Sequence, residues 1–255
     1  MDAMQSRHMQ TLSTRNLVID IPGRADGYPL DLTIGSGQIW GVLGPNGAGK
    51  TTLFAMIAGF LKSDGGEVKL NGTSILGMKP HMICQMGMVR TFQITQPFAG
   101  LTTRQNIMVG AYSKTSSQPD AERKAEEVAE IVGMMSLLDR NADNLTVASR
   151  KRLELARALA TGPSLLLLDE VMAGLNPTEI DEIVAVIKGI RDNGVTIFLI
   201  EHVMKAVMNL SDRTYVLNDG KLIAAGTPAS VAADPQVIEA YLGHGAAETM
   251  AGGAA

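Results

Sequence analysis

One cysteine, Cys84, occurs in 255 residues. A single thiol excludes an internal disulfide and any zinc site built from several cysteines, and leaves Cys84 to act as a small buried apolar residue. Long apolar runs are missing too. Nothing approaches the 18 or so consecutive apolar residues that a membrane-crossing helix needs. Met1 to Gln10 lacks the apolar centre of a signal peptide, so secretion is not expected. There is no basic excess: 22 Lys and Arg stand against 26 Asp and Glu, a net charge of −4. That balance argues against a general nucleic-acid partner. No internal repeat is visible. What remains, 45% hydrophobic and 19% charged, is ordinary for a globular chain long enough for one domain or a domain with a subdomain. The 15 methionines fall at scattered helical spacings and read as core filling.

Against this background one stretch stands out. Gly44, Pro45, Asn46, Gly47, Ala48, Gly49, Lys50, Thr51 and Thr52 follow the apolar run Ile39–Leu43 and precede Leu53–Ala58, a helix closed by Gly59. Strand, glycine-rich loop and helix is the context that the pattern G-x-x-x-x-G-K-[ST] requires. Glycines let the backbone curl so that successive N–H groups point at phosphate oxygens, and the helix N-terminus adds partial positive charge. Lys50 would reach the β- and γ-phosphates of a nucleoside triphosphate, and the Thr51 hydroxyl would ligate Mg²⁺.

A second cluster lies downstream. Leu165–Leu168 is apolar on both faces and reads as a central strand of a parallel sheet. Asp169 and Glu170 follow it, at the sheet edge where ligands bind in open parallel folds. Asp169 would share the Mg²⁺ with Thr51. Glu170 would polarise the attacking water as a general base, worth about 10²–10⁴ in rate. His202 comes just after a similar strand, Val195–Ile200, on the same edge, where its imidazole can donate a hydrogen bond to the γ-phosphate. Gln93, ending the strand Met88–Phe92, can ligate Mg²⁺ or orient water.

The remaining pattern fills in an α/β architecture. Residues 11–43 alternate as an antiparallel β element, and Glu67–Leu70 forms a strand ended by Asn71-Gly72. Pro80 opens a short helix through Gln85. Residues 121–135 place Ala121, Ala125, Val128, Val132 and Met135 on one stripe, with the start and cap at Gln118–Asp120. A helix runs from Ser149 to Gly162-Pro163. Another starts at Asn176-Pro177 with Ile180, Ile183, Ile187 and Ile190 inward, and a further one spans about Val203–Leu210. Asn218-Asp219-Gly220 marks a hairpin. The expected organisation is a single domain over 10–243. An α/β core with a mostly parallel sheet and an antiparallel β part covers 10–93 and 161–243, and a helical subdomain is inserted at 94–160. The small-residue tail 244–255 reads as flexible.

The order of these pieces resembles the ATP-binding subunits of ABC transporters, over residues from about 12 to 243. More narrowly the chain is similar to the ATPases of branched-chain amino acid importers, on Arg90-Thr91-Phe92-Gln93, Ala173-Gly174-Leu175-Asn176-Pro177 and Val237-Ile238-Glu239-Ala240-Tyr241-Leu242-Gly243. The resemblance implies a P-loop ATPase with ATP and Mg²⁺ as cofactors, working head-to-tail with a second ATPase subunit. Each ATP would lie between the phosphate loop of one chain and a signature segment of the other. Integral membrane permease subunits would dock near the Gln93 loop, at the cytoplasmic face of the cell membrane, and a periplasmic solute-binding protein would deliver the solute. The family signature, Leu-Ser-Gly-Gly-Gln, is here Leu145, Thr146, Val147, Ala148 and Ser149. Thr146 keeps a hydroxyl, Ala148 keeps its N–H, and the helix start near Ser149 still aims a positive end at a γ-phosphate in trans. The freedom of glycine is lost, and Val147 disfavours positive φ. A non-identical partner with a fuller signature is therefore expected, with a homodimer as the alternative. Val171 stands where Pro is usual and Asn176 where Asp is usual. The adenine-stacking aromatic would fall near Ile21, with Tyr28 the nearest substitute.

Overall fold

Alternating apolar residues along the first strands put one face of each into a core. In the computed structural model, which describes residues 10–18, 29–91 and 96–242, β1 (Gln10–Val18) pairs antiparallel with β2 (Leu30–Gly35). β3 (Ile39–Leu43) leaves for a second sheet, while β4 (Gly65–Leu70) and β5 (Thr73–Ser74) complete the first in the order β2-β1-β4-β5. The second sheet adds β6 (Met88–Arg90), β7 (Leu165–Asp169), β8 (Thr196–Ile200), β9 (Arg213–Asn218) and β10 (Lys221–Gly226), in the order β10-β9-β3-β8-β7-β6. All its neighbours are parallel except the β9–β10 hairpin. The expected α/β class, mostly parallel with an antiparallel part, is what the chain adopts.

β7 is the fifth strand of six, beside the edge strand β6, and so is not central as its composition suggested. Its burial comes from layers. Leu165 and Leu167 face one core together with Phe54, Phe198 and the antiparallel sheet, and Leu166 and Leu168 face the other with the helices. A strand sandwiched on both faces needs apolar residues at every position wherever it sits in the order.

The helices are α1 (Lys50–Ile57), α2 (Pro80–Gln85), α3 (Thr103–Ala111), α4 (Gln118–Ile131), α5 (Val147–Ala160), α6 (Pro177–Asp192), α7 (Met204–Leu210), α8 (Pro228–Ala232) and α9 (Pro235–Leu242). Capping boxes start two of them, Thr102 with Gln105 on α3 and Asn176 with Glu179 on α6. The cap of α4 is Ser117, one residue before the expected segment. That helix ends at Ile131 and the chain turns at Gly133, φ 68°. Val132 stays buried, whereas Met135 falls in a 3₁₀ turn and is 49% exposed, off the expected stripe. Cys84 is only half-buried on the short α2, which offers too little surface to cover it. The expected strand Met88–Phe92 is described to Arg90, and Phe92, Gln93 and the tail 244–255 lie outside the described residues. Among the described residues no helix is long and apolar enough to cross a membrane.

Candidate nucleotide site

The loop between β3 and α1 is shaped by its glycines. Gly44 has φ 148°, and a Cβ there would come within 2.1 Å of the Leu217 carbonyl oxygen, so no other residue fits. Gly49 caps α1 in the left-handed region, φ 98°, with no side-chain cap bond, and no acidic residue stands in the first turn. Among the described residues, then, neither a side-chain cap nor a first-turn carboxylate meets the first N–H groups of the helix, which suits an anion. Lys50 is buried, and its Nζ donates to the carbonyl oxygens of Gly44 (2.8 Å) and Pro45 (3.0 Å). Two of three ammonium protons are used in this way and one remains. Burial pushes the Lys50 amine down, and the negative charges of Glu170 and Asp169 oppose that. Thr51 sits exposed on the first turn, with Asn46 and Gly47 exposed and Ala48 buried on the loop.

Strand order brings the other groups together. β8 lies between β3 and β7, so His202 emerges between the phosphate loop and the carboxylate pair. Asp169 is almost fully buried. Its Oδ2 accepts from Arg90 Nη2 at 2.7 Å, and its N–H donates to Thr91 Oγ1 at 3.2 Å. Its Oδ1 is buried without a hydrogen-bond partner among the described residues. No group of three or more His, Cys, Asp or Glu among them could hold a metal alone. An ion here would therefore be one that keeps water and shares its ligands with a phosphate, and Thr51 with Asp169 Oδ1 fits Mg²⁺ in that manner. Glu170 adopts φ 52°, which costs a non-glycine residue roughly 1–2 kcal/mol. Its N–H donates to the Ile200 carbonyl at 2.9 Å, and its Oε1 lies 2.6 Å from His202 Nε2.

Three residues with no assigned part in the chemistry also line this edge. Arg90 holds Asp169. Glu201, buried, accepts from the Met172 N–H at 2.9 Å, and burial pushes its carboxyl up to about 7. Tyr241, on α9, accepts from the Gly44 N–H at 2.7 Å. A charge at the end of an apolar strand was a usable signal for Arg90 and Glu201. Nothing local marks Tyr241.

Gln93, Ile21 and Tyr28 lie outside the described residues. Thr146 is the N-cap of α5, its hydroxyl accepting from the Ser149 N–H at 3.2 Å and contacting Ser149 Oγ at 3.1 Å. The helix thus starts at Val147, two residues before the expected point, because Thr146 is a good cap. Positive φ does not arise at Val147, so its branched side chain carries no strain and stands 57% exposed. Among the described residues no hydrogen bond joins residues 146–149 to residues 44–52 of the same chain.

A curled loop at a helix start, with a carboxylate pair two strands away and an imidazole between, defines a P-loop nucleotide-binding protein. The sequence profile of the ABC transporter family matches residues 28–173, and that of the branched-chain amino acid ATP-binding cassette transporter matches residues 221–247. The chain belongs to the ABC transporter family, on its ATP-binding side. It is 40% identical over 230 residues to the high-affinity branched-chain amino acid transport ATP-binding protein BraF of Pseudomonas aeruginosa, covering 84% of this chain and 90% of the relative. It is 34% identical over 236 residues to the lipopolysaccharide export system ATP-binding protein LptB of Escherichia coli, covering 92% and 98%. The ADP conformation of an ATP-binding cassette of an ABC transporter superposes with a TM-score of 0.83 at 31% identity, covering 92% of this chain and all of that one.

Proposed function

We propose that the chain is the ATP-hydrolysing subunit of an importer for branched-chain or other amino acids, peripheral on the cytoplasmic face of the cell membrane. The observation that carries hydrolysis is the Glu170 Oε1–His202 Nε2 contact of 2.6 Å beside the buried Lys50. In this reading the N–H groups of residues 46–52 and Lys50 bind the triphosphate tail. Thr51 and Asp169, with Gln93, would hold Mg²⁺, which when bound supplies charge neutralisation at the phosphates. Glu170 takes a proton from the attacking water, and His202 donates to the γ-phosphate. The likeness to a branched-chain amino acid transport protein and the matching C-terminal profile favour an amino acid as the solute over lipopolysaccharide. Amide or urea importers share this reading of the site. A second ATPase chain sits opposite, either a non-identical one with a fuller signature than Thr146, Ala148 and Ser149 or a second copy of this chain. Permease subunits dock near the Gln93 loop, and a periplasmic solute-binding protein acts on them from outside. A domain over 10–243 with its helical subdomain at 94–160 suits this division of labour.

The altered signature favours one further reading, a nucleotide-sensing subunit that binds ATP and barely hydrolyses it. Steady-state hydrolysis with and without solute-loaded binding protein separates the two. A motor subunit assembled with its permease turns over ATP faster when solute-loaded binding protein is added; a sensor shows the same slow rate with and without it.

A further inference from the structure

The phosphate loop is gripped from outside by the C-terminal part of the chain, at both of its ends. At the far end the turn of the β9–β10 hairpin reaches it: the Gly220 N–H donates to the Ala48 carbonyl at 3.0 Å. At the near end Gly44 lies against the Leu217 carbonyl of β9, so close that a Cβ would meet it at 2.1 Å. There too the Gly44 N–H donates to the Tyr241 hydroxyl at 2.7 Å. The carbonyl of the same glycine accepts from Lys50 Nζ at 2.8 Å. Gly44 is thus pinned on its donor by Tyr241 and pins Lys50 with its acceptor. α9 is seated firmly enough to act as an anchor, with Val237 3% exposed in the helical core, while Tyr241 stays 42% exposed at the margin.

We propose that Tyr241 is a positioning residue for the triphosphate site, acting through Gly44 on Lys50, and that the β9–β10–α9 segment is a brace holding the phosphate loop in its anion-accepting curl before nucleotide arrives. A loop that must present several N–H groups and one ammonium to the same phosphates loses affinity for every conformation it samples outside that curl. The hydroxyl contributes one hydrogen bond to a buried backbone donor, and its removal leaves that donor unsatisfied. The inference rests on reading residues 44–52 as the triphosphate site.

The test uses the full chain with Tyr241→Phe, which keeps the ring and removes the hydroxyl. Three quantities are measured: amide hydrogen exchange over residues 41–50 without nucleotide, the equilibrium Kd of a fluorescent ATP analogue, and KM against kcat. The expected result is faster exchange confined to that loop, Kd and KM raised by about 2- to 10-fold, and a smaller change in kcat. An unchanged Kd overturns the proposal, whatever the exchange does. Acceleration of exchange throughout the protein with a lowered Tm overturns it as well, because the hydroxyl would then serve general packing. Lys50→Ala is the control. If that variant binds the analogue as tightly as the wild type, the triphosphate site itself is misread; if it loses binding while Tyr241→Phe does not, only the brace fails.

Discussion

Arg90 Nη2 lies 2.7 Å from Asp169 Oδ2, both side chains nearly buried, and this pair joins β6 to β7 at the edge where nucleotide is expected. Without Arg90, Asp169 would be a carboxylate taken out of water with both oxygens unpartnered. Arg90 satisfies Oδ2 and leaves Oδ1 open.

Removing the cation should therefore be costly. Arg90→Met is expected to lower stability by about 3–5 kcal/mol, the usual penalty for stranding one member of a buried ion pair. Arg90→Lys should recover part of that, because the charge remains and the planar fork is lost. Urea unfolding measures both. A loss below 1 kcal/mol for Arg90→Met would mean that Asp169 reaches solvent or another partner without strain.

Glu201 predicts a pH dependence. Its folded carboxyl is pushed up to about 7 by burial, from an ordinary 4.5. Between those values the folded chain holds a proton that the unfolded chain has released. The stability this confers is fully present below 4.5, declines as pH rises, and is gone above about 7, a change of roughly 3 kcal/mol at most. Glu201→Gln still accepts from the Met172 N–H and cannot ionise. The wild type should lose more Tm than the variant between pH 5 and 8, at roughly 2–4 °C per kcal/mol for a chain of this size. Parallel curves would contradict the raised carboxyl.

The signature offers a test in which stability and activity move oppositely. Val147→Gly with Ala148→Gly restores glycine at the first turn of α5. Each change is expected to cost roughly 0.5–1 kcal/mol of helix stability. ATP turnover by the isolated chain should nevertheless rise by about tenfold, as closer backbone approach completes the site in trans. Unchanged turnover would show that Val147 and Ala148 do not limit hydrolysis.

Much of this site could be read from residue order alone, and the reasons are local. The curl from Gly44 to Gly49 needs glycine at fixed places, so the spacing announces it. α6 shows its start through Asn176, Pro177 and Glu179, which cap within one turn. The position of β7 was less legible, because Leu165–Leu168 reports burial on two faces and says nothing of neighbours. The start of α5 was misplaced for a similar reason: Thr146 and Ser149 can both cap, and only the fold shows which one does. Arg90, Glu201 and Tyr241 act across 79, 29 and 197 residues of chain. No pattern within a single segment encodes such pairings.

The central claim, that Lys50, Asp169, Glu170 and His202 converge on one triphosphate tail, is tested most directly by Glu170→Gln. Nucleotide Kd and single-turnover hydrolysis are measured on the same preparation. The expected outcome is a Kd within about twofold of the wild type and a hydrolysis rate lower by about 10²–10⁴. Wild-type hydrolysis in the variant would contradict the assignment of Glu170 as the base, and loss of nucleotide binding would contradict the separation of binding from chemistry on which the account rests.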